Sequence, residues 1–216
     1  MKLMRWIIPF LLLISLCLPA YAGEKVNTEL YVNLLQHRLY LIKDGKTVAT
    51  YPVAPGTGKT PTPIGHFKVV KKSKHWGSGF GSRWLGLNVP WGQYGIHGTN
   101  RPYLIGKSVS HGCIRMRNQD VEKLFPEVPV GTPVFIDGPI FGTGKYAYRN
   151  LSLGSKGTVV MLFQNHLRAA GYYDGPIDGI YGQALKEAVE QYQKDHDLPV
   201  TGGIKMEMYR EMGFLE

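Results

Sequence analysis

The sequence predicts a mainly β domain of sandwich or barrel type with one short helix, followed by a small all-α domain of three helices. Three observations carry this. Apolar residues alternate at strand period from about residue 27 to 137. Gly and Pro punctuate that whole span. After a Gly-rich stretch at 138–152 the periodicity becomes helical. A chain of 216 residues has room for one medium domain and one small one.

Taken in order, Leu30, Val32 and Leu34 alternate with polar positions, as one face of a strand does. Leu39, Leu41 and Ile42 lie in a second apolar run, and 47–53 is rich in β-branched and aromatic residues. Asp44-Gly45 between these two runs predicts a hairpin, because a tight turn there needs positive φ. Further strands are expected at 67–70, 84–89 and 134–136. One helix is expected after Asn118, read as its cap. Asp120 and Glu122 sit in its positive first turns, and Val121, Leu124 and Phe125 share a face. Gly138, Pro139, Gly142 and Gly144 mark a linker at 138–152. Beyond it, Leu162, Phe163, His166, Leu167 and Ala170 define one helix ended by Gly171. Leu185, Ala188, Val189 and Tyr192 define a second, and 205–212 a third. The turn-dense 174–182 loop carries two aspartates at spacings unlike an EF-hand. Asp side chains bonding their own turns account for them.

Composition narrows the class. At 44% hydrophobic and 19% charged, the chain can build a core and is not of disordered type. Residues 1–22 read as a signal peptide: Lys2 and Arg5, an apolar run at 6–18, then Ala20-Tyr21-Ala22 as the cleavage site. The expectation is an exported protein of the cell wall or periplasm that meets the membrane only during export. An uncleaved anchor, or a lipoprotein acylated at Cys17, is the alternative. Removing 1–22 lowers the formal charge from +9 to +7. That suits an envelope location rich in polyanions, but the Lys and Arg residues are scattered and no nucleic-acid module is evident.

The two cysteines are Cys17 and Cys113, so export would leave a single thiol, set in Ser110-His111-Gly112-Cys113. An unpaired cysteine in an exported protein is a candidate reactive thiol. Thiolate is the attacking form, and a nearby imidazole can take the proton. His111 reaches the thiol if 111–113 is extended, since i and i+2 share a face. His97 reaches it if two neighbouring segments lie side by side. Gly98 and Gly112 would open the backbone to a ligand, with Gly112 serving an oxyanion hole. A buried structural cysteine, or a zinc site from His97, His111 and Cys113, competes with this reading. The zinc alternative lacks the usual short ligand spacings. The other histidines have no comparable context.

These residues resemble a known family. His97-Gly98, then Ser110-His111-Gly112-Cys113-Ile114-Arg115-Met116, is similar to the signature of L,D-transpeptidases with a YkuD-type catalytic domain. Thr60-Pro61-Thr62-Pro63-Ile64-Gly65-His66-Phe67, Tyr94-Gly95-Ile96 and Gly131-Thr132-Pro133-Val134 agree with it, and the likeness covers about 27–137. Residues 153–216 resemble a three-helix peptidoglycan-binding domain. The resemblance implies a YkuD-like β-sandwich and no cofactor or metal. It implies that Cys113 attacks the carbonyl of a diamino acid in a tetrapeptide stem. The terminal D-alanine leaves, a thioester forms, and the amine of a second stem resolves it into a 3→3 cross-link. His97 would be the general base and acid, His111 an orienting residue, and Gly112 a backbone oxyanion donor. Ser110, Arg115 and Tyr94 would touch substrate. Arg115 stands where some members have Asn, and its fork suits a carboxylate. Carbapenems would acylate Cys113. The implied partners are stem peptides and glycan. Water in place of the amine would make the enzyme an L,D-carboxypeptidase or endopeptidase, and an inert thiol would leave a wall-binding protein.

Overall fold

The computed structural model describes residues 27–215. The signal-peptide expectation falls on residues outside that range. Within it lie a mainly β part and a small all-α part.

Strands β1 (Thr28–Asn33) and β2 (Arg38–Lys43) form a hairpin, and β3 (Lys46–Pro52) returns beside β2. The Asp44-Gly45 turn has φ of 49° and 74°, the positive pair that the dipeptide foretells. Leu30, Val32, Leu39 and Leu41 point to one face and are buried there. Strands β4 (Gly65–Ser73), β5 (Trp84–Leu87), β6 (Tyr94–His97) and β7 (Ile114–Arg115) follow, and β8 (Pro133–Asp137) closes the set. The order is β3-β2-β1-β8-β4-β5-β6-β7, with β8 parallel to β1 and β7 parallel to β6.

The two leaves of the sandwich share one strand. The first half of β4 pairs with β8 and the second half with β5, with a register shift between Val69 and Lys71. Such an irregularity bends the sheet and turns its two ends toward a common core. Residues of both leaves meet there, among them Leu30, Phe67, Leu85, Ile96 and Ile136. Helix α1 (Asn118–Glu127) adds Val121 and Leu124 to that core. Its N-cap position is Arg117, not Asn118, and no side chain caps it. The Asn118 carboxamide is spent elsewhere, as described below. The two short strands β6 and β7 escape the sequence pattern because Gly95 and the Gly112 bend interrupt any alternation.

Helices α2 (Thr158–Ala169), α3 (Gln183–Asp195) and α4 (Met206–Glu211) enclose a second core of Phe163, Leu167, Tyr181, Val189 and Tyr209. Gly171 has φ +83° and ends α2, with Tyr172 N–H returning to Leu167 O at 2.8 Å. Asp178 bonds its own turn through Ile180 N–H at 2.9 Å. The face of α2 is offset from expectation: Val160 and Gln164 are buried, and His166 is exposed. Gln164 is tolerated inside because its amide bonds Asp178, Ile180 O and Gly179 N–H.

Candidate active site

Strand pairing brings His97 and Cys113 to one face. In the parallel β6–β7 pair, Ile96 lies beside Ile114 and His97 beside Arg115. Side chains alternate along strands, so His97 and Arg115 share the face opposite Ile96 and Ile114. Ile96 and Ile114 are buried in the core. Cys113 immediately precedes β7, beside Gly95, whose N–H favours the thiolate. It is a free, half-buried thiol.

The turn that carries it is locked by Ser110. This side chain is 1% exposed, and its hydroxyl accepts from Gly112 N–H at 3.0 Å and donates to Cys113 O at 2.5 Å. Its own carbonyl accepts from Thr57 N–H at 3.1 Å and Thr60 Oγ1 at 3.0 Å. Ser110 therefore shapes the Cys113 turn, and its side chain is turned away from solvent.

The expected role of Gly112 changes as well. Its φ is +111°, and an added Cβ would lie 2.6 Å from the Tyr94 ring. The glycine is required by backbone conformation and by Tyr94 packing. Its N–H is already bonded to Ser110, so it is not a free oxyanion donor. Gly98 is likewise a packing residue, since a Cβ there would meet Asn118 Oδ1 at 2.2 Å. The bend at Gly112 also breaks the extended geometry that would bring His111 onto the thiol. His111 is exposed, and among the described residues no hydrogen bond joins it to Cys113.

His97 is 2% exposed. Its Nδ1 lies 2.5 Å from Gly98 O. A carbonyl only accepts, so Nδ1 carries the proton and Nε2 is the basic nitrogen of the neutral ring. Trp84 stacks on the ring at 5.5 Å and Phe80 meets it edge-on at 5.0 Å. Burial in this niche pulls His97 down to about 4. The Gly98 and Phe80 carbonyls oppose that shift, and the Arg115 charge adds to it. Burial pushes the Cys113 thiol up, against the Gly95 N–H and Arg115, which favour the thiolate. Both shifts favour neutral thiol and neutral imidazole over a thiolate–imidazolium pair.

The sequence reading missed Trp76, Phe80, Trp84 and Asn118. Trp76 stacks on Trp84 at 5.3 Å, continuing the stack from His97. In a Gly- and Ser-rich segment the three aromatics gave no local signal of shared surroundings. Asn118 gave none, because Asn before an apolar run reads as a cap.

A cleft of about 470 Å³ runs from this turn to the C-terminal helices. Tyr94 and His111 form part of its wall, with Trp91, Tyr146 and Thr158.

Comparison with known proteins identifies the family. Residues 27–136 match the family model described as the L,D-transpeptidase catalytic domain, YkuD, and residues 156–204 match a peptidoglycan binding domain. The chain is 48% identical over 113 residues to YkuD of Bacillus licheniformis, covering 52% of this chain and 67% of that protein. It is 46% identical over 99 residues to YkuD of Bacillus subtilis (strain 168), covering 46% and 59%. Among solved structures, L,D-transpeptidase 3 from Mycobacterium tuberculosis with a faropenem-derived adduct aligns with a TM-score of 0.46 at 20% identity, over 52% of this chain and 61% of that one. With half its length matched by the catalytic-domain model, the chain belongs to the YkuD-type L,D-transpeptidase family and carries a peptidoglycan-binding domain after the catalytic one.

Proposed function

We propose that the protein is an exported peptidoglycan L,D-transpeptidase acting through Cys113. The thiol attacks the carbonyl of the third residue of a tetrapeptide stem. The carbon–nitrogen bond to the terminal D-alanine breaks, and a thioester forms. His97 Nε2 takes the thiol proton as the sulfur attacks and passes it to the departing amine. The side-chain amine of a second stem then attacks the thioester, restoring the thiol and giving a 3→3 cross-link.

The observation that carries this reading is the shared face of His97 and Cys113, with the His97 tautomer set by Gly98. Burial favours the neutral form of both groups, so in this reading charge separates during attack. Arg115 then matters twice. Its charge favours the developing thiolate, and its guanidinium, which has no carboxylate partner among the described residues, suits a substrate carboxylate. Gly112 N–H is taken by Ser110, which leaves Cys113 N–H, beside the thiol, as the oxyanion donor of this reading.

The test is incubation of the protein with a disaccharide-tetrapeptide and mass spectrometry of the products. Cross-linked dimer supports the transpeptidase. Loss of alanine alone would replace it with a hydrolase, and no reaction would reject the enzyme. Cys113→Ala in the full chain should abolish product while binding to insoluble peptidoglycan persists.

A further inference from the structure

The cleft beside the nucleophile turn has one wall from the sheet domain and one from the C-terminal part. Lys59, Arg149 and Lys156 line it, and no Asp or Glu does. The Arg149 guanidinium bonds Gly58 O and Lys59 O, so it fixes the loop rather than facing outward. The side chains of Lys59 and Lys156 belong to exposed residues and have no hydrogen-bond or ion-pair partner among the described residues. The walls are held at a fixed separation by Thr158, which bonds Ile64, and by Arg149. Tyr94, whose ring packs on Gly112, and His111, two residues before Cys113, line the cleft where it adjoins the Cys113 turn. Resting on the function proposed above, we propose that this cleft binds the donor stem peptide, with its carboxylates on Lys59 and Lys156. A stem acylated at Cys113 must extend away from the sulfur, and this preformed basic cleft adjoins that turn. The C-terminal helices then complete the substrate site and are more than a tether. Calorimetric titration of the full-length Cys113→Ala protein with a soluble disaccharide-tetrapeptide tests this without catalysis. Lys59→Glu and Lys156→Glu should each weaken binding about fivefold or more. Lys156→Gln should give a smaller loss, and amidating the stem carboxylates should weaken wild-type-cleft binding while removing the sensitivity to both lysines. Unchanged affinity in Lys156→Glu, or full affinity for the amidated stem, overturns the proposal. Neither result touches the catalytic reading, which fails instead if Cys113→Ala still makes dimer.

A separate set of contacts concerns His97. The Asn118 carboxamide Oδ1 accepts from Ser82 N–H and from Thr99 N–H, both at 3.1 Å. Thr99 N–H and Gly98 C=O belong to one peptide unit, and that carbonyl holds the His97 Nδ1 proton. Ser82 follows the segment that carries Phe80 against the ring. A Cβ on Gly81 or on Gly98 would sit 2.2 Å from Asn118 Oδ1, so both loops close on this one oxygen. We infer that Asn118 is a positioning residue for His97, orienting the peptide unit that fixes its tautomer. Asn118→Leu should lower kcat about tenfold or more with little change in KM, and the His97 Nδ1–H proton resonance should lose its protection from exchange. Asn118→Asp keeps an oxygen that accepts both N–H groups, and should retain the resonance and most of kcat. A folded Asn118→Leu protein with an unaltered Nδ1–H resonance overturns the inference, even if its thermal midpoint falls.

Discussion

Thr158 and Ile64, 94 residues apart, share a two-way hydrogen bond: the Thr158 hydroxyl accepts from Ile64 N–H at 3.0 Å and donates to Ile64 O at 3.2 Å. Thr158 opens α2, and Ile64 ends the loop that joins β3 to β4 and packs against Ser110. Thr158→Val keeps the shape and removes both bonds, leaving a partly buried amide unpaired. The expected cost is about 1–2 kcal/mol of stability. It should appear as a lower thermal midpoint with faster hydrogen exchange at the Ile64 amide. An Ile64 amide that exchanges at the wild-type rate would show that the contact does not hold the two parts together.

Gly112→Ala tests the Cys113 turn more severely. The new methyl would be forced into φ +111° and against the Tyr94 ring at 2.6 Å. The turn must shift, and with it the Ser110 bonds that hold Cys113 O. Acylation should fall about a hundredfold, the scale expected when reacting groups move by an ångström. Thiol alkylation of the folded variant, compared with wild type, separates a displaced sulfur from an unfolded protein. Wild-type acylation would mean that Gly112 is dispensable.

The parts of the fold legible in the sequence were those governed by local rules. The Asp44-Gly45 hairpin, the Leu185 to Tyr192 face of α3 and the glycine stop of α2 each follow from a few neighbouring residues. The thiol and its histidine were legible through their spacing to either side of a connection that returns parallel to β6. What the sequence hid was decided by distant partners. Ser110 and Gly112 looked available to a ligand, but Ser110 is buried against the 54–64 loop and Gly112 under Tyr94. Asn118 looked like a cap, but two backbone amides from other loops claim it. The protonation of the Cys113–His97 pair depends on burial by Trp84 and Phe80, which no local pattern announces.

That burial has a consequence for stability. The His97 value of about 4 in the folded protein lies below its unfolded value of 6.5, so between those values the unfolded chain binds more protons. Stability therefore rises with pH across this window. The contribution is fully present above pH 6.5 and is lost as pH falls through about 4, amounting to about 3 kcal/mol as an upper bound. Denaturant titrations from pH 4 to 7 should show this slope, and His97→Gln should flatten it. Equal slopes in the two proteins would assign the acid sensitivity to other groups.

Arg115 acts on both members of the pair, and in one direction. Its charge lowers the Cys113 value by favouring thiolate, and lowers the His97 value by disfavouring imidazolium. Arg115→Gln removes both effects at once. The pH midpoint for iodoacetamide alkylation of Cys113 should move up, because thiolate loses a favourable neighbour. The His97 titration should also move up, because the charged ring loses a repulsive one. The acid limb of acylation then shifts to higher pH together with the thiol titration, and the whole profile moves the same way. If the two limbs move apart, or only one moves, the guanidinium is not poised between sulfur and ring. Following the alkylation midpoint and the His97 ring resonances in the same variant distinguishes these outcomes.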